Sequence, residues 1–219
     1  MRGPRAGAGR RLVVLSLSAL AAAVPVHAQE PVEDAADPIP IPLPSERSAH
    51  FAGEVHLDAV FPVATEPLCP PGAECIFGSG AGVGAIFERR WRSGWAIGGA
   101  YDLWILDGNG VHEVTTIQNP AVSLRYRFLR RNMSHPFVAG QIGALLLGDS
   151  FGVAAAGGSV EGIVGVEIEM SPNLALVVAS AWRLFMTSSF ETGNDDVRRV
   201  EDQGVNLGAT LRLGLAFLP

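Results

Sequence analysis

Two cysteines, five histidines and a scatter of acids and arginines are the residues of this 219-residue chain that could do chemistry. Cys69 and Cys75 flank Pro70-Pro71-Gly72-Ala73-Glu74. Two thiols with no histidine or further cysteine beside them make an incomplete metal site. In an exported chain, an even pair closing a short loop reads instead as a disulfide. His112 precedes Glu113 without a nearby nucleophile, and His135 follows Ser134 directly, with no serine two residues on. Nucleophilic catalysis needs a hydroxyl or thiol beside a base that a third group orients. None of these histidines offers that, so the chain reads as no enzyme, without cofactor or metal.

The charged residues take on meaning from the elements that carry them. Glu54, His56 and Asp58 alternate with Gly53, Val55, Leu57 and Ala59, between Phe51 and Phe61. Near the other end, Leu211, Leu213, Leu215 and Phe217 share one face, while Thr210, Arg212 and Gly214 share the opposite one. Period-2 alternation of this kind marks strands. Six more segments fit it: Ala81 to Glu88, Trp95 to Ile105, Val114 to Phe128, Phe137 to Leu147, Ser159 to Met170 and Leu174 to Met186. Eight strands of this length suit the tilted spans of a membrane barrel. Short connections, Arg89 to Gly94, Leu129 to Pro136 and Ser171-Pro172-Asn173, alternate with mostly longer polar or glycine-rich ones. The longest, Thr187 to Gly204, carries Asp195, Asp196, Arg198 and Arg199. The fold class that follows is all-β: an eight-stranded, antiparallel, up-and-down transmembrane β-barrel with its short turns in the periplasm.

Alternation alone leaves open which face is inside. A soluble ligand-binding barrel would bury the apolar face; a membrane barrel exposes it to lipid. Aromatic residues gather at the short-turn ends, at Phe51, Phe87, Trp95, Phe128, Phe137 and Phe217, as an interfacial girdle would. The polar face is rich in small residues, including Gly82, Gly84, Gly98 and Gly140, as a narrow lumen requires. On the membrane reading Glu54, His56, Asp58, Glu88, Asp102, Arg125, Arg127, Glu161, Glu167, Glu169, Arg183 and Arg212 point inward. Unpaired buried charges are costly, so these residues are expected to form an ionic network plugging the lumen. Arg212 is expected to pair with Glu167 or Glu169. A small-solute channel, or an exported soluble barrel, are the alternatives.

Arg2, Arg5, Arg10 and Arg11 precede the apolar run Leu12 to Val24, and Val26-His27-Ala28 offers a cleavage site before Gln29. That is the pattern of a signal peptide over residues 1–28, the run being short of the ~20 residues of a spanning helix. Residues 29–47, with Pro38-Ile39-Pro40-Ile41-Pro42-Leu43-Pro44, read as a stiff proline-rich leader in the periplasm, ahead of a barrel domain over 48–219. The chain has no lysine, and without the four leading arginines 12 basic residues face 22 acidic ones. Such a chain is no nucleic-acid binder. Its mean hydropathy of +0.26 is too apolar for disorder.

The signal peptide, the eight alternating strands, and Gly208 followed by Leu211, Leu213, Leu215 and Phe217 resemble the small OmpA/OmpX-like outer-membrane β-barrels. The resemblance covers about Ala49 to Pro219 and rests on architecture. It implies residence in the cell outer membrane, contact with outer-membrane lipid and insertion by the barrel-assembly machinery, and it implies no reaction. Within that architecture, a lipid A deacylase of the PagL kind needs a His-x-Ser pair. An omptin-type protease needs ten strands and paired rim acids. Neither pattern is present. A structural or interaction protein presenting loops outside the cell is the expected role.

Overall fold

The computed structural model describes residues 49–128, 133–192, 196–200 and 204–218. The expected signal peptide and leader, residues 1–28 and 29–47, lie outside them, as does Asp195. Ten strands form: β1 (His50–Ala64), β2 (Gly80–Arg90), β3 (Trp95–Leu106), β4 (Thr115–Arg127), β5 (Ser134–Asp149), β6 (Ala155–Ser171), β7 (Leu174–Thr187), β8 (Phe190–Thr192), β9 (Val197–Arg199) and β10 (Asn206–Phe217). Eight of them close a barrel in the order β1-β10-β7-β6-β5-β4-β3-β2. Neighbours are antiparallel throughout, and β1 seals the barrel against β10 with Asp58 opposite Arg212 and Leu57 opposite Leu213. Two of the three strand prolines fall where the ladder is irregular, Pro62 at a register shift and Pro120 where β4 leaves β5 unpaired. A residue without an N–H costs least at such places.

The alternation in sequence becomes alternation in burial. Along β1 the even-numbered residues from Ala52 to Val60 are buried, and along β10 those from Asn206 to Ala216. Leu57 and Ile142 are each 65% exposed, whereas Asp102 and Asn119 are 0% exposed. Polar inside and apolar outside is the reverse of a soluble barrel. In water each of those aliphatic side chains would forgo about 1.5–3 kcal/mol of burial; hydrocarbon restores it. The wall is therefore a lipid-facing surface.

Phe51, Phe87, Trp95, Phe128 and Phe217 stand exposed at the short-turn end, with Phe51 stacked on Phe87 at 5.4 Å. Phe137 departs from the expected girdle: it is buried inside the barrel. Gly140 is likewise on the outer face rather than the inner one. Both differences have one cause. Strand β5 begins at Ser134, earlier than expected, and His135 points inward, which sets the parity for 137 and 140. Between Phe137 and Leu147 the one polar side chain, Gln141, is all that marks the inward face, and it is buried there with Phe137. The short connections are 91–94, 128–133 and 172–173. Of the other four, 150–154 is short because β5 and β6 run beyond their expected ends. The connection 188–205 holds the β8–β9 hairpin, whose three-residue strands are too brief to show a period.

Leu213→Arg places a guanidinium on the lipid face near mid-strand, and should cost ~2–4 kcal/mol in denaturant titration of refolding into lipid vesicles. Unchanged stability would mean that this face does not meet hydrocarbon.

Candidate functional site

The interior is built in layers, because successive inward residues of each strand stack along the barrel axis while an eight-stranded lumen has room only for side chains. Toward the short turns, Ala52, Phe137, Ile163, Ala175, Val177 and Leu218 belong to an apolar cluster drawn mainly from β5, β6, β7 and β10. Beside it, at the same end, lies an inner ionic group, with Arg90 and Arg127 the last residues of β2 and β4. Arg90 donates through both terminal nitrogens to the two oxygens of Glu167, at 2.9 and 3.0 Å, and through Nε to Glu88 at 2.6 Å. Arg125 donates to Glu54 at 2.7 Å, and Arg127 lies 3.8 Å from Glu167 and 3.9 Å from Glu88. His135 Nε2 is 3.1 Å from Glu169. The Arg125 guanidinium also covers the Phe137 ring at 4.5 Å. Moving Phe137 indoors thus gives Arg125 an aromatic face to lie on.

An outer ionic group follows. Arg212 grips Asp58 through Nε and Nη2 at 2.9 and 3.2 Å. Arg183 donates to Asp102 and, at 2.9 Å, to Glu161, and His56 Nε2 lies 3.0 Å from Asp102. Arg183 sits 4.3 Å over the Trp104 ring, the aromatic ceiling of this group. The partner of Arg212 is therefore Asp58, with Asp102 at 3.6 Å and Glu161 at 3.8 Å, and not Glu167 or Glu169. Those two acids belong to the inner group, a level nearer the short turns. Close packing here depends on Gly84, where a Cβ would run into the His56 ring and the Asp102 carboxylate.

His56, Asp58 and Asp102 bring one ligand atom each within 4.8 Å of one another, a spacing that could suit a metal ion. Arg212 and Arg183 already match the charge of the two carboxylates. The trio is ion-paired, and a cation there would have to displace both guanidinium groups. The remaining histidines offer no better chemistry. His135, expected in a turn, is enclosed in β5 beside Glu169. His112 Nδ1 lies 3.0 Å from Thr115 Oγ1, but Thr115 is fully buried and out of reach of a substrate.

Beyond Trp104 the barrel closes with an apolar layer. Val60, Ile117, Leu145, Leu147 and Phe185 come from the strands, and Leu68, Ile76, Phe77, Phe190 and Val200 from the connections above them. Two connections are stitched together over this layer by Arg199, which is 0% exposed. Its Nη1 donates to the Leu68 and Glu74 carbonyls at 2.7 and 2.9 Å, and its Nε to Thr192 at 3.2 Å. The Val200 N–H donates to Pro67 at 3.1 Å. Val200 holds a φ of 62°, a left-handed conformation that a β-branched residue adopts only when its surroundings impose it. A Cys69–Cys75 disulfide closes the ring between the two anchored carbonyls, and both cysteines pack on the apolar layer. Arg90 and Arg199 were missed in the sequence. Arg90 merely extends the 86, 88, 90 alternation by one step, while Arg199 sits in a stretch that looks like an ordinary polar loop.

No protein-family model matches this chain, and no curated protein does. Among solved structures it is similar to Neisserial surface protein A, with a TM-score of 0.57 at 11% identity, covering 79% of this chain and 100% of that one. It is similar too to the outer membrane protein OprG from Pseudomonas aeruginosa, with a TM-score of 0.55 at 10% identity, covering 80% and 98%. At such identities the likeness is one of fold. That fold is the small eight-stranded outer-membrane β-barrel, and the resemblance to OmpA/OmpX-like proteins is one of architecture. Together with the lipid-facing wall it places the chain in a bacterial outer membrane, since barrels of this kind span that membrane.

Arg212→Met should cost ~3–5 kcal/mol by denaturant titration in vesicles, because Asp58 is left buried without its partner. Adding Asp58→Leu should recover most of that loss; a double variant no better than the single one would dissolve the pairing. Arg199→Ala should leave the barrel folded but open residues 65–79 to proteinase K, and continued resistance would show that Arg199 does not hold the cap.

Proposed function

We propose that this chain is a closed outer-membrane barrel whose work is done by the surface its connections present outside the cell, without catalysis and without conducting solute. The observation that carries the reading is the filling of the interior: an apolar cluster and a group of paired charges side by side at the short-turn end, a second group of paired charges under Trp104, and an apolar layer under stitched connections. In this reading Glu54, His56, Asp58, Glu88, Asp102, Arg125, Arg127, Glu161, Glu167, Glu169, Arg183 and Arg212 act as a structural plug, with Arg90 added. The outward-facing surface is acidic among the described residues: Glu66, Glu74, Asp107, Glu113, Glu191 and Asp196 are exposed there, against Arg198. It is also braced, by the disulfide and by Arg199. A preformed surface pays less ordering entropy on binding than a floppy one, which suits contact with a partner. The reading includes removal of residues 1–28, a periplasmic leader over 29–47, and delivery by the barrel-assembly machinery.

The experiment is planar-bilayer recording of the purified protein, with folding checked by heat-modifiable migration on a gel. The plug predicts silent membranes from folded protein. Well-resolved single-channel steps would make it a small-solute channel instead.

A further inference from the structure

The outer wall is not uniform near its short-turn end. Across the strands one level reads Phe217, Gly53, Phe87, Gly99, because Gly53 is opposite Phe217 and Phe87, and Gly99 is opposite Phe87. Two rings therefore alternate with two gaps. Nothing lies within 4 Å of where a Cβ would stand at Gly53 or Gly99, so both gaps are open to the outside. A groove of about 530 Å³ runs over them, past Ala85 and Tyr101, and continues into one of about 350 Å³ between Phe51 and Phe217. An annulus of lipid held by area alone needs no such grooves. At their lower rim Arg89 stands opposite Phe51, its guanidinium 6.0 Å from that ring and 5.9 Å from Trp91. Among the described residues at this end, Arg89 and Arg92 are exposed, whereas the acids Glu88 and Glu169 are buried.

We propose that this groove is a site for one anionic phospholipid of the periplasmic leaflet. Its acyl chains straddle Phe87 in the gaps at Gly53 and Gly99, and its phosphate meets Arg89. The inference rests on the reading of the outer wall as lipid-facing. Depth and charge agree: a guanidinium held by two rings at the interface has the anion-binding fork below it in the headgroup layer, and the gaps lie on the hydrocarbon side. A zwitterionic lipid could fill the gaps and offer a phosphate too, but its own ammonium offsets that charge, so Arg89 favours a headgroup of net negative charge.

The test uses the full barrel in phosphatidylcholine vesicles, carrying Trp182→Phe so that the lipid-facing tryptophan fluorescence comes from Trp91 and Trp95. Quenching by brominated phosphatidylglycerol is compared with quenching by brominated phosphatidylcholine. One cation near an anionic headgroup is worth ~1 kcal/mol, so the anionic probe should be preferred about fivefold. Arg89→Gln should bring that ratio to about one. Gly99→Leu, which fills a gap with open space around it, should weaken association of both probes. Equal quenching by the two probes in the parent would overturn the site. Absence of quenching by either would overturn the lipid-facing wall along with it. A dimer in sedimentation that Gly99→Leu dissociates, with the lipid ratio unaltered, would overturn the proposal and assign the groove to a second copy of the chain.

Discussion

Every backbone N–H and C=O that enters hydrocarbon must find a partner within the protein, and the pairing of β1 with β10 is what meets that demand. An open sheet of the same eight strands would leave two edges without partners, and an edge in lipid costs several kcal/mol for each unpaired group. Closure removes both edges, and much else follows from it. The circumference is set by eight strands, so the interior holds side chains and little more. Outward residues must be apolar and inward ones must fill the space.

Filling a narrow tube with ion pairs is an unusual solution, since buried pairs gain little over well-packed apolar groups. What they supply here is specificity of register. Asp58 faces Arg212 across the seam between the first and last strands, so a slip of one residue in either strand would turn its charge into lipid and leave the other buried without its partner. The acids Glu54, Asp58, Glu88, Asp102, Glu161, Glu167 and Glu169 are met by Arg90, Arg125, Arg127, Arg183 and Arg212, with His56 and His135 completing the set. Trp104 separates the outer group from the apolar layer beyond it, while Phe137 lies against Arg125 within the inner one.

Strand positions and most inward residues were legible from period 2 because a membrane barrel separates its faces so sharply. Where that separation weakens, legibility fails. Between Phe137 and Leu147 only Gln141 marks the inward face, and one polar residue was too faint a signal to set the parity of Phe137 and Gly140. The partner of Arg212 depended on strand order around the ring: β1 and β10 are neighbours in space but lie at opposite ends of the sequence. Choosing Glu167 or Glu169 ignored the seam. Arg199 and the β8–β9 hairpin carry no periodic signal at all, since three residues make no pattern and a buried arginine in a loop looks like an exposed one. The disulfide was legible from spacing and export; its place as a brace beneath Arg199 was not.

The central claim is that the polar face is the inside. Its most direct measurement is nuclear magnetic resonance of methyl-labelled protein in lipid nanodiscs, reading magnetisation transfer between side-chain methyls and lipid acyl protons. Leu57, Leu211 and Leu213 should show strong transfer, and Val60, Leu145 and Val177 none. Acyl contacts at Val60 and Leu145, with Leu211 and Leu213 silent, would contradict the account.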